Sequence, residues 1–437
     1  MPSIINNPLR ILNADALVTR LAKEPSYLFI GKNTPWQDEE MPDLILDSTE
    51  EKIELFDNIL ALKKIEPSNT SSVIHRINWI SGDIYDSFDH RQNMVDGRDI
   101  DGRRFRFYVM TDEFNVYKCL SNNGGVPSTV RPTSQQLTPF YTPDGYCWKF
   151  MYTIRASDVF NFLTSEWMPV YTLQQNDGSS QWLVQENAIP GGIHDIKINS
   201  RGSGYDTVNV PTVQITGNGT GATAIVQVSP IDGGIDRILI TNPGSGYTQA
   251  STTVQGLNIT PAQVIPILSP INGHGKDSVL ELGGTHKMIK TTLNGSEGGL
   301  FPITSFRQAG IISKPIASGQ YGTRLIVGDT NGFSVGDTVN GTLSGATAII
   351  RLIEIDSNII WLSNVLGTFS QGDTLTNGTI STNIQTVFSN VNIPLVAPVV
   401  AASELQYGSG NILYQSNRVL INRANGQSEE VRMVITF

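Results

Sequence analysis

The sequence predicts a mainly β chain with a few short helices: a multi-domain β-sandwich architecture carrying two inserted β-repeat modules. Three observations point there. The chain has 437 residues, about three domains' worth at ~150 residues each. Charged residues make up 16% against a typical ~25%, while Gly, Thr, Asn and Ser are plentiful, as in short strands joined by tight turns. Two stretches with still less charge contain internal repeats.

Along the chain, residues 13–22 (NADALVTRLA) read as a short amphipathic helix with Asn13 or Asp15 near its cap. Residues 49–64 predict a second helix. Thr49 can cap it, and Ile53, Leu55, Phe56, Ile59, Leu60 and Leu62 cluster on one broad face. Strands dominate afterwards. Residues 103–120 (RRFRFYVMTDEFNVYKCL) read as two strands joined at Thr111, Asp112 and Glu113. The first 190 residues hold five of the six tryptophans, Trp36, Trp79, Trp148, Trp167 and Trp182.

Composition shifts near Gly191. Residues 191–270 carry seven charged side chains in 80 positions, and 321–390 carry seven in 70. In the first block, 191–205 (GGIHDIKINSRGSGY) matches 233–247 (GGIDRILITNPGSGY) at an offset of 42, with nine identities in fifteen positions. Each copy places Ile at i, i+3 and i+5 and then turns at Gly-Ser-Gly-Tyr. In the second block, FSVGDTV at 333–339 matches FSQGDTL at 369–375, offset by 36, and Gly-Ala-Thr-Ala occurs in both blocks. Two copies are too few for a long solenoid. Each block is therefore expected to be a small β-sandwich or β-roll inserted into a host domain. The expected division is 1–190 as the N-terminal core, 191–270 and 321–390 as inserts, and 271–320 and 391–437 returning to the core. At the end, 430–437 predicts a strand with Val431, Met433, Ile435 and Phe437 on one face and Arg432 and Thr436 on the other. Asn425-Gly426, a hairpin signal, makes 410–414 or 418–423 its expected neighbour.

Composition excludes several function classes. The net charge of −10, from 30 Lys and Arg against 40 Asp and Glu, argues against nucleic acid or an anionic membrane as partner. The longest apolar stretch, about 393–402, is interrupted by Pro394 and Pro398 and is too short to span a bilayer. The N-terminal twenty residues show no secretory signal pattern. Cys119 and Cys147 read as reduced core thiols or, alternatively, as a reactive or bridged pair; the first reading is favoured. His75, His90, His194, His274 and His286 lie far apart outside any metal motif, and read as surface or turn residues.

Gly-Ser-Gly-Tyr lacks the helix and the Lys-Ser/Thr that a phosphate cradle needs. Residues 96–102 (DGRDIDG) miss the calcium-loop register and read as two Asp-Gly turns. No Gly-x-Ser-x-Gly elbow is present. No catalytic, cofactor-binding or metal-binding residue is assigned, and the expectation is a building block, not an enzyme.

Several short motifs occur in order: FIGKNTPW at 29–36, VYKCL at 116–120, DGYCWKF at 144–150, FRQAGIISKP at 306–315, SGNILYQSNR at 409–418 and QSEEVRMVITF at 427–437. Together they resemble the baseplate wedge subunit encoded by gene eight of T-even-type contractile-tailed bacteriophages. The resemblance covers about 1–190, 271–320 and 391–437; the two repeat blocks depart from it. It implies a β-rich virion protein of the tail baseplate, assembled in the bacterial host cytoplasm. It further implies a homodimer that joins other wedge proteins, the products of genes six, seven and ten, without enzymatic activity. Trp36, Tyr146, Trp148 and Arg418 are expected to serve core packing and buried pairing. The alternative reading is a tail-surface module binding host glycans through the repeat blocks, with Tyr205, Tyr247 and Trp361 as platforms.

Overall fold

The computed structural model describes residues 4–297, 305–424 and 426–437. The chain is mainly β, with five helices among the described residues, the longest Asn7–Lys23. None is long and apolar enough to cross a membrane. That first helix begins earlier than expected. The Asn6 carbonyl accepts from the Leu9 and Arg10 N–H groups, and Pro8 fits a first turn that needs no N–H donor.

Two compact units form, 1–14 with 71–288 and 435–437, and 15–70 with 289–434. The first 190 residues, expected to stay together, thus divide between them. Strand pairing is the reason. Ser26–Gly31 is hydrogen-bonded between Ile59–Lys64 on one side and Phe306–Ser313 on the other, which ties 15–70 to the later chain.

The second unit is built on an antiparallel five-stranded sheet. Its order is Val399–Ala401, Ile59–Lys64, Ser26–Gly31, Phe306–Ser313, Asn411–Ile421. The expected helix over 49–64 is corrected here. It spans only Thr49–Asn58, capped by Ser48, whose Oγ accepts from the Glu51 N–H. Ile59–Lys64 is a strand, because pairing on both edges outweighs the helical pattern of its apolar residues. Phe29 faces Gly310 across the sheet. A Cβ on Gly310 would lie 2.3 Å from the Phe29 ring, so the ring occupies the space a side chain would fill.

The second repeat block is a closed barrel, not a sandwich or roll. Six strands run in the order Ile316–Val327, Ile359–Leu366, Thr347–Glu354, Thr338–Gly341, Thr374–Thr376, Ser381–Pro394, and the last pairs with the first. Closure removes the exposed edges that a small open sheet would carry. Equivalent repeat positions fill its core: Phe333 and Phe369, Val339 and Leu375. The turns match as well. Ile350 N–H donates to the Asp337 carbonyl and Ile384 N–H to the Asp373 carbonyl, at 2.9 and 2.8 Å.

In the first unit, Tyr108–Met110, Asn115–Ser121, Cys147–Thr153 and Phe140–Tyr141 form an antiparallel sheet in that order. The turn expected at 111–113 is present, closed by Phe114 N–H donating to the Thr111 carbonyl. The first repeat block follows as three antiparallel strand pairs around a shared apolar core. Ile193 and Ile235, Ile196 and Ile238, and Tyr205 and Tyr247 fill equivalent places in it. The block's ends meet: Gly192 and Ser269 exchange hydrogen bonds of 2.8 and 3.1 Å.

The C-terminal strand Ser428–Thr436 lies beside His286–Asn294, not beside 410–423. The Gly295 N–H donates to the Gln427 carbonyl, and Lys290 pairs with Glu430 at 2.9 Å. Asn425, half of the expected turn signal, lies outside the described residues. Met433 is buried, while Val431, Ile435, Phe437 and also Arg432 are half-buried.

Candidate functional site

The first unit holds a buried charged cluster that the sequence reading did not single out. Lys118 and Lys149 occupy the middle of two strands buried on both faces, directly opposite each other. Two like charges so placed repel, and both ammonium groups are out of water.

Compensation comes from the five-residue helix Ser278–Leu282, capped by Asp277 and closed by a left-handed Gly283. Its Glu281 accepts from Lys118 Nζ at 2.8 Å and from the Gly275 N–H at 2.7 Å. Lys118 also sits 3.9 Å from the centre of the Phe88 ring. Among the described residues Lys149 has no carboxylate at hydrogen-bonding distance; its Nζ donates to the Leu137 carbonyl. Burial pulls its pKa down to about 8 against the opposing pull of Glu281.

Two histidines complete the cluster. The His194 and His274 rings lie 5.2 Å apart, and His274 packs edge-on against Phe88. Burial, then the nearby lysines, holds His194 down to about 4 and His274 well below its usual value. Both are neutral at pH 7. His274 Nδ1 lies 3.7 Å from Glu281 and has no hydrogen-bond partner.

The expectation of scattered surface or turn histidines holds for His90, exposed in a turn, and is corrected for His194 and His274, which are buried, and for the half-buried strand residues His75 and His286. His75 and His286 gather with Trp167 at ring separations of 4.2 to 5.6 Å, both held at about 4 by burial first. His90 Nδ1 accepts from the Leu268 N–H at 3.2 Å, so it fixes one end of the repeat block. Among the described residues no three His, Cys, Asp or Glu side chains gather closely enough to hold a metal ion.

Both cysteines are free and buried. Burial raises Cys147 to about 12 and Cys119 well above the ordinary thiol value. They are protonated thiols, so neither is an activated nucleophile. They point to opposite faces of the sheet, Cys119 in the core with Trp148 and Phe150, Cys147 toward the repeat block.

Two concavities adjoin this sheet. One, of about 280 Å³, lies over Lys149, His194 and His274. The other is a polar cleft of about 510 Å³ lined by Asp86, Asn122, Asp195, Lys197, Arg201 and Arg237 among others. Desolvation raises the Asp195 carboxyl to about 7, outweighing Ser121, Arg237 and Lys197. Residues 96–102 form a closed turn. The Asp99 carboxylate accepts from the Asp101 and Arg103 N–H groups and from Arg103 Nε.

Of the motif residues, Trp36 is buried and its Nε1 donates to the Arg418 carbonyl at 2.7 Å, 382 residues away. Tyr146 and Trp148 are fully buried and stacked, with centroids 5.4 Å apart and planes 15° off parallel. Arg418 departs from the expected buried pairing. Its carbonyl accepts from Trp36, and the residue is exposed. No protein-family model and no curated protein matches the sequence.

Proposed function

We propose that the chain is a structural subunit of a contractile phage tail baseplate wedge, dimerising and linking neighbouring wedge proteins. One observation supports this reading most. The segments that carry the resemblance pair with one another: 29–31, 306–313 and 411–418 within one sheet, 116–120 with 147–150 in another. That these motifs pair within common sheets, those at 29–31, 306–313 and 411–418 across long stretches of chain, is what a single retained architecture would require, and so supports the reading. No chemical step belongs to the proposal. Sedimentation of the purified chain and mixing with the products of neighbouring wedge genes test it. A monomer that joins none of them overturns it.

The alternative, glycan recognition, rests on the polar cleft, where carboxylates, amides and guanidinium groups converge. It does not rest on the repeat tyrosines, since Tyr205 and Tyr247 are buried in their module's core. Glycan-array screening of the whole chain decides it; silence removes this reading.

A further inference from the structure

We propose that the cavity over Lys149 binds a compact organic carboxylate, its anionic end on the lysine and its apolar body against the repeat block. Two buried lysines face each other and, among the described residues, one carboxylate, Glu281, is in contact with either. Glu281 is held by Lys118, by the Gly275 N–H and by the helix that carries it. Lys149 is left with a neutral carbonyl acceptor. An ammonium group has three donors, so two remain for a ligand.

The second observation is the polar environment on the same side. His274 is nine-tenths or more buried, lines the cavity and carries a ring nitrogen with no partner. His194, also lining it, lies alongside. Lys149 with two neutral imidazoles makes a singly charged polar end; Lys118, paired with Glu281, does not line the cavity. A buried cation of this kind gains most from an anion that is itself desolvated.

The third observation sets the ligand's shape. The remaining wall is mixed: Pro139, Ile189, Ile240 and Pro243 give it an apolar part, beside Thr138, Asn187 and Thr241. A volume of about 280 Å³ sits at the lower end of small-molecule sites, the size of a single ring or a short branched chain. A bare inorganic anion would leave the apolar part unmatched. Because the wall comes partly from the repeat block and the lysine from the host sheet, an occupant would join the two.

Benzoate is a suitable probe, with inorganic phosphate and benzyl alcohol as comparison compounds. Calorimetric titration of the intact chain at pH 7 should show saturable benzoate binding and at least about tenfold weaker binding of both comparison compounds. Lys149→Met keeps the stem and removes the charge; it should weaken benzoate by about tenfold or more. Ile240→Trp fills the cavity without touching the charges, and should abolish binding even if the lysine variant fails to fold. Absence of saturable benzoate binding, equal binding of phosphate or benzyl alcohol, or full binding by Ile240→Trp would each overturn the assignment.

Discussion

The main-chain N–H of Tyr205 donates to the carbonyl of Gly233 at 2.9 Å, and one repeat later Tyr247 donates to Gly191 at 3.0 Å. Each copy of the repeat thereby closes on the first glycine of the other. The two Gly residues share a left-handed backbone, φ 64° and 63°, and a Cβ on either would press on the partner copy's main chain. Two copies suffice because each completes the other, where a solenoid would need a third to cover its open end.

Gly233→Ala should therefore cost about 2 kcal/mol, from the positive φ and from contact at 2.9 Å with Gly204. Gly246→Ala has the same sign of φ but open space around it, and should cost only about 1 kcal/mol. Urea unfolding of both variants measures the difference. Equal losses would show that backbone strain alone matters and that the interlock does not.

The repeats were legible because self-similarity survives any fold. Gly, Ile and Tyr at matched offsets occupy matched places in the structure. The strand Ile59–Lys64 was not legible, since its apolar residues also fit a helical face and its partners lie at 26–31 and 399–401. The charged cluster was hidden for a related reason. Lys118, Lys149, His194, His274 and Glu281 are brought together only by tertiary pairing. One signal was available: a lysine in the middle of each apolar run, VYKCL and CWKFMY, is out of place in a doubly buried strand unless something neutralises it.

Removing that neutralisation should be severe. Glu281→Gln leaves Lys118 buried beside Lys149 without a counter-charge, and should lower stability by about 3–5 kcal/mol. The double variant Lys118→Met with Glu281→Leu removes both charges and should recover most of the loss. Denaturation midpoints for the three chains test the pair. A double variant as unstable as the single one would show that packing around Glu281, not charge, holds this region.

Acid should weaken the first unit above the range where ordinary carboxylates titrate. His75, His194 and His286 are each held at about 4 in the folded chain, against ~6.5 unfolded. Between those values the unfolded chain takes up protons that the folded one refuses. Stability is then complete above pH 6.5 and is lost as pH falls toward 4. Asp195 works the other way. Raised to about 7, its contribution is present below pH ~4 and is lost as pH rises through 7. Asp195→Asn should therefore steepen the acid loss. Melting temperatures at pH 7, 5.5 and 4.5 measure both slopes, and a flat profile would contradict the buried histidines.

Deleting 191–270 with a short Gly/Ser bridge from 190 to 271 should leave a folded chain, because Gly192 and Ser269 are already hydrogen-bonded neighbours. The deletion uncovers a particular surface. Arg237 leaves the Gly145 carbonyl and the Tyr141 ring, and Cys147 loses the cover of the block. A thiol reagent should then modify one cysteine in the deleted chain, none in the intact one and two in denaturant. Cys119 stays protected in the core beyond the sheet. Reaction of both thiols, or of neither, in the folded deletion would show that the block supports the sheet itself or never covered it.

The last five residues, 433–437, should matter more than that whole block. Met433 is buried in the strand Ser428–Thr436, and truncating a buried Met side chain costs ~2–5 kcal/mol. Phe437 adds main-chain ties: its N–H donates to the Thr285 carbonyl at 3.2 Å, and Arg10 Nε donates to its main-chain oxygen. Arg10 also holds Asp96 at 2.6 Å. Chain ends fray unless anchored in this way, so removing 433–437 strips away a buried side chain, a half-buried Ile435 and the acceptor of Arg10 together. The truncated chain should melt well below the intact one and below the chain lacking 191–270. Met433→Ala alone should account for about half of the loss, since it removes the buried side chain and keeps the main-chain ties. Calorimetric melting of the three variants gives the order. A truncated chain that melts with the intact one would show that Met433 and Phe437 rest on the surface without supporting it.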